Sequence, residues 1–150
     1  MKNLFTKNDV NETIVRINSL TADTPGLWGK MTVDQMLAHC NVAYDMVYTD
    51  NYPKIGGFQK FMIKLFAKST VIGLKPYTKN GRTAPEFIIK ERKDFEAEKT
   101  KLIQNIEKTL ALGTAHFNNK ENRAFGKLSG AEWNTLFSKH LDHHLRQFGV

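Results

Sequence analysis

The sequence predicts an all-α helical bundle. Three observations carry that expectation. Five stretches place apolar residues at helical spacing, four of them long and one short. Two of the five open on a Ser/Thr-x-x-Glu/Gln capping box. Pro- and Gly-containing breaks separate the stretches, and no alternating run of strand type stands out. At 150 residues, 41% hydrophobic and 25% charged, a single domain over residues 1–150 has enough apolar side chain to build one core.

The first helix is expected from Asn8 to Leu20, where Val10, Ile14 and Ile17 recur at i, i+4 and i+7. Pro25, Gly26 and Gly29 then break the pattern. The second helix starts at Thr32, with Gln35 three residues on, and runs to Tyr48. Met36, Cys40, Ala43 and Val47 form its apolar stripe, and His39 borders that stripe.

After a loop over 51–57, the residues Phe58, Phe61, Met62, Leu65 and Phe66 mark a short amphipathic helix, with Lys60, Lys64 and Lys68 on its other side. An accessory helix laid over the bundle, its lysines reaching out to water, is the favoured reading. A membrane-surface helix has the same pattern. A homodimer would also bury the segment.

Residues 73–85 are turn-rich and basic, and read as a long ordered connection. Phe87 to Ile89 reads as a short strand or extended loop. A long helix follows from Asp94 to Leu112, with Phe95, Leu102, Ile106 and Leu110 on one face and Gly113 at its C′ position. His116 to Lys127 is polar and reads as loop, with His116 in solvent. Ser129 and Glu132 make the second capping box, which opens a last helix from Ala131 to Phe148.

The chemistry concentrates in that last helix. Three of the five histidines, His140, His143 and His144, fall within five positions. At about 100° per residue, with His140 at zero, Trp133 lies at about 20°, His144 at about 40° and Phe137 at about 60°. His140 and His144 therefore share the apolar face. Lys139, Asp142 and Arg146 fall on the far side, and His143 sits at the margin at about −60°.

Two inward imidazoles need partners for their ring nitrogens. A metal ion supplies one, because neutral imidazole is a good donor to first-row ions. The competing explanation is favourable interaction of protonated histidines with the helix C-terminus. His39 is the best third donor. A set of three histidines leaves coordination positions open, as catalytic sites do. Gln147, at about −20°, shares the face and is placed to hydrogen-bond a ligand from outside, and His143 is a second candidate for that role.

Cys40 is one helical position from His39, so the two side chains diverge by about 100° and a nucleophile pair is not expected. With one cysteine, no internal disulfide forms. The net charge of +7 is spread along the chain with acidic residues interleaved, so nucleic-acid binding is not expected. No apolar run approaches a membrane span, and the first residues lack the apolar core of a secretory signal. A cytoplasmic protein is the expectation.

Met36-Leu-Ala-His39 together with His140-x-x-x-His144-x-x-Gln147 resembles the DinB/YfiT-like metalloenzyme superfamily. The runs Phe125 to Trp133 and Lys139 to Gly149, with Ala84-Pro85 ahead of Phe87, are similar to an uncharacterised, domain-of-unknown-function branch of it. The likeness extends from about Leu27 onward. It implies a four-helix up-down-down-up bundle and a divalent metal, zinc or nickel, held by His39, His140 and His144. It also implies a small-molecule substrate and either transfer or isomerisation with a low-molecular-weight thiol, or hydrolysis. A non-catalytic bundle that binds a small ligand, a membrane surface or a protein partner is the alternative.

Overall fold

The computed structural model describes residues 1–53 and 55–150 and is mostly helical. It contains α1 (Lys7–Asn18), α2 (Val33–Tyr48), α3 (Gly57–Ile72), α4 (Phe95–Phe117) and α5 (Gly130–Gln147). A 3₁₀ turn, Pro85–Phe87, lies between α3 and α4. A two-stranded antiparallel hairpin, β1 (Lys120–Asn122) and β2 (Gly126–Leu128), joins α4 to α5, with Glu121 opposite Lys127. Among the described residues, no helix is long and apolar enough to cross a membrane.

The helix starts follow from local chemistry. The Ser129 box forms in full, with Glu132 Oε2 accepting from the Ser129 backbone N–H at 2.8 Å and Ser129 Oγ accepting from that of Glu132 at 3.2 Å. At Thr32 the return arm forms, Gln35 Oε1 accepting from the Thr32 backbone N–H at 3.0 Å, while the Thr32 hydroxyl makes no hydrogen bond. Asp94 caps α4 by accepting from Ala97 N–H at 2.9 Å. Each cap of this kind contributes about 1 kcal/mol by satisfying an otherwise orphaned donor.

One core gathers the apolar stripes of α1, α2, α4 and α5. Ile17, Met36, Leu37, Leu102, Ile106 and Leu145 are completely buried in it. Tyr44 of α2 stacks on Phe137 of α5 with ring centroids 4.8 Å apart. Asn41 is also buried, and its amide crosses to α4, donating to the Glu98 carbonyl at 3.0 Å.

Four local expectations are corrected. Of the two readings of residues 87–89, the extended loop holds for Ile88 and Ile89 and the strand does not form, while Phe87 closes the 3₁₀ turn behind Pro85, whose ring suits a first helical position. The stretch from His116 to Lys127 is only partly loop. Gly113, at φ +69°, interrupts the helix as a C′ glycine would, yet the chain re-enters helix to Phe117 and then forms the hairpin. Asn122 Oδ1 shapes that hairpin by accepting from the backbone N–H groups of Ala124 and Phe125.

The third correction concerns α3. It runs on to Ile72 and has no fully buried residue. Ile63, Ala67 and Val71 pack against the core, while Phe58, Phe61, Leu65 and Phe66 face outward. Lys60 and Lys68 turn toward the protein and pair with Glu121 at 2.6 Å and Glu132 at 3.1 Å. The other four helices already close the core, so α3 docks on α5 along a narrow strip and its aromatic stripe finds no room.

The fourth is Lys139, expected on the far side of α5 and in fact buried. The end of α3 covers it. Its Nζ donates to the carbonyls of Thr70 at 2.7 Å and Lys75 at 3.1 Å, and to that of Gly73. Cationic capping of otherwise unpaired carbonyls at a helix C-terminus offsets the desolvation of the ammonium.

Candidate metal centre

Three histidines from two helices meet at the α2–α5 interface. Taking one ring nitrogen from each of His39, His140 and His144, the three atoms lie within 4.8 Å of one another. His39 and His144 are buried, and His140 is half-buried. The helical geometry of α5 brings two of them together one turn apart, as the angular spacing predicts. The fold brings in His39 from 101 positions away.

The hydrogen bonds set the tautomers. His39 Nδ1 lies 2.8 Å from the Phe87 carbonyl, which can only accept, so Nδ1 carries the proton and Nε2 presents its lone pair. His144 Nδ1 lies 2.8 Å from Gln147 Oε1. The Gln147 amide is oriented by its other end, because Nε2 donates to the Trp28 carbonyl at 2.8 Å. The oxygen must then face His144, whose Nδ1–H donates to it and whose Nε2 is also left with a lone pair. His39 Nε2 faces His140 Nε2 at 2.9 Å.

Each of these partners is held in turn. Gln35 donates to the Lys90 carbonyl at 3.1 Å. The buried Asp34 carboxylate accepts from Arg92 Nε and, at 2.7 Å, from the Lys93 backbone N–H. The segment carrying the Phe87 carbonyl is thereby strapped along the start of α2. On the other side, Leu27 N–H donates to the Gln147 carbonyl at 2.7 Å, which fixes the loop bearing Trp28 against the end of α5.

Gly29 adjoins this bridge at φ +82°, and a Cβ there would stand 2.5 Å from Gln147 Nε2. Only glycine satisfies both the left-handed backbone and the close approach.

Burial dominates the electrostatics. It pushes the pKa of His144 down to about 3, with His39 adding to the effect and the Gln147 hydrogen bond opposing it. Burial, then proximity to the other histidines, holds His140 well below the usual imidazole range. Burial also lowers His39, against the Phe87 hydrogen bond. All three are neutral at pH 7, the protonation state a metal ligand requires.

A donor set of three neutral imidazoles, two with Nε2 freed by a fixed Nδ1–H, fits a divalent first-row ion such as zinc or nickel. A hydrogen bond on the distal nitrogen is the usual device for orienting a ligating imidazole.

The remaining sequence candidates sort clearly. His143 is half-buried and edges onto Trp28 at 5.9 Å and Tyr77 at 5.5 Å between ring centroids, beside the cluster and not within it. Asp142 points away and pairs with Arg16 and Arg146 at 2.9 and 2.8 Å. Cys40 is buried beside Met36, and burial pushes its thiol pKa up, as for a core cysteine. Lys79 lies over the Trp28 ring at 4.2 Å.

Sequence reasoning missed the Phe87 and Trp28 carbonyls because backbone acceptors leave no side-chain signature. The Trp28-Gly29 pair in an otherwise ordinary turn was the available hint.

No curated protein and no solved structure matches this chain. One family profile does, described as protein of unknown function (DUF1569), over residues 2–149. That description carries no activity and is consistent with the expectation of a domain of unknown function. By a match that takes in nearly its whole length, the chain belongs to the DUF1569 family.

Proposed function

We propose that His39, His140 and His144 hold a divalent metal ion, zinc or nickel, and that the protein is a metal-dependent enzyme acting on a small molecule. One observation carries the reading. The Nε2 atoms of His39 and His140 face each other at 2.9 Å, and the Phe87 carbonyl already commits the His39 proton to Nδ1. A cation between them uses both lone pairs, and His144 supplies the third from its Gln147-fixed ring.

The ion supplies Lewis-acid chemistry at the centre. The chain's own residues do the rest. Phe87 and Gln147 hold the protons of His39 and His144 on Nδ1 and fix both rings. The Phe87 ring, with centroids 5.3 Å from His39 and 5.7 Å from His140, shields one side from water. Trp28, Tyr77 and His143 border another side, where His143 is the nearest group able to exchange a proton. With three protein donors among the described residues, a bound ion would keep a coordination position for substrate.

The likeness to the DinB/YfiT-like superfamily extends the proposal to an up-down-down-up arrangement of the four core helices. It also extends it to thiol-dependent transfer or isomerisation, or hydrolysis. Metal analysis of the purified protein tests the reading. One equivalent of zinc or nickel is expected, and His140→Ala, at a half-buried position, is expected to lose it while keeping its helical circular dichroism. A wild type that takes up no ion after incubation with either metal refutes the proposal. With a loaded protein, turnover of electrophilic esters with and without added thiol separates hydrolysis from thiol transfer.

A further inference from the structure

The outward face of α3 needs an explanation that the histidine centre does not provide. Phe58 is 80% exposed, Phe61 and Leu65 60%, and Phe66 69%. With about 200 Å² per aromatic side chain, these four residues present roughly 500 Å² of contiguous apolar surface, as large as the largest patch of a typical monomer. Among the described residues nothing covers it.

The spacing identifies the kind of partner. Phe58, Phe61 and Leu65 follow one another at three and four residues, all on the outward face. That is the 3-4 seam by which one helix packs knobs-into-holes on another.

The charges argue against a bilayer. A helix that lies on an anionic membrane keeps free lysines beside its apolar face. Here Lys60 and Lys68, two of the three lysines of α3, are paired with Glu121 and Glu132 of the same chain. The seam is apolar and its flanking charge is largely neutralised, which suits a protein surface of the same character.

We infer that the face docks on a second copy of this chain, α3 against α3 in antiparallel, two-fold fashion. Self-complementarity is what a two-fold contact demands, and the seam presents the same residues from both sides. Two such faces bury about 1,000 Å² together, at the threshold of a specific interface. Leu65, midway along α3, falls near the axis.

Sedimentation equilibrium of the full chain tests this. The wild type is expected to be a dimer. The double variant Phe61→Glu/Leu65→Glu is expected to be monomeric, its dissociation constant raised by about tenfold or more, since a buried carboxylate pair has no partner there. Both positions are exposed in one chain, so folding is unaffected, and circular dichroism checks it.

Independently, Leu65→Cys is expected to form an interchain disulfide on mild oxidation, with the buried Cys40 unreactive. A monomeric wild type overturns the inference. So does a double variant that dimerises undiminished, or a Leu65→Cys protein that does not cross-link. A monomer that instead floats with phosphatidylserine vesicles would assign the face to a membrane.

Discussion

Replacing Gln147 by leucine removes both arms of the bridge between His144 and the Trp28 carbonyl, and leaves a side chain of similar bulk at the end of α5. The wild-type amide is 3% exposed, so water does not substitute for it. His144 Nδ1–H and the Trp28 C=O are then stranded. Each unsatisfied buried group costs about 1–3 kcal/mol.

The effect on metal is separable from that on stability. Without its acceptor the His144 ring can rotate and can move its proton to Nε2, the nitrogen that should face the ion. Loss of an orienting partner of this kind weakens metal binding by about 10–100-fold, or roughly 1.4–2.7 kcal/mol. The assay is competition of the purified protein with a chromophoric chelator for zinc at neutral pH, with urea denaturation of the metal-free protein run in parallel. A folded Gln147→Leu protein that binds zinc as tightly as the wild type would refute the assignment of Gln147 as the positioning partner of His144.

Two further outcomes follow from the same geometry. Gly29→Ala places a methyl 2.5 Å from Gln147 Nε2 and forces a non-glycine residue to φ +82°. It is expected to reproduce the zinc-binding loss of Gln147→Leu, and the two changes together are expected to be clearly less than additive in a double-mutant cycle. The metal-free protein should also lose stability as pH falls. The pKa of His144 is lowered by burial from 6.5 to about 3, so between those values the unfolded chain binds the extra proton and the native state does not. Stability is full above about pH 6.5, and at pH 5 this one imidazole costs about 2 kcal/mol. Urea midpoints at pH 7 and pH 5 read the change, which His144→Asn should reduce; equal midpoints for the wild type contradict a buried neutral His144.

Most of the helical layout is legible in the sequence, because helices are specified by short-range chemistry. Thr32 with Gln35 and Ser129 with Glu132 mark two helix starts to within a residue or so, since a capping box needs only neighbours three positions apart. The inward orientation of His140 and His144 follows from 3.6-residue periodicity against Trp133 and Phe137, again a property of one helix.

Periodicity says that a helix has two faces, and does not say which face a crowded core will accept. That is why α3 departs from its pattern: its aromatic stripe reads as the buried side, but α1, α2, α4 and α5 supply the core and only Ile63, Ala67, Val71 and Ile72 of α3 pack against it. Lys139 fails for the same reason in reverse. It points away from the main core, as its angle requires, but the end of α3 lies there and its carbonyls enclose the ammonium.

The sequence by itself determined the helical class and which residues could serve as ligands. That His39 completes the group it could only suggest, because a contact across 101 positions depends on how α2 and α5 pack. The tertiary structure alone decided the protonation and aim of the rings. The Phe87 and Trp28 carbonyls that fix them belong to the backbone and have no residue type to betray them. A histidine's usefulness as a ligand depends on which nitrogen keeps the proton, and that is settled by the acceptor the fold delivers to the other side of the ring.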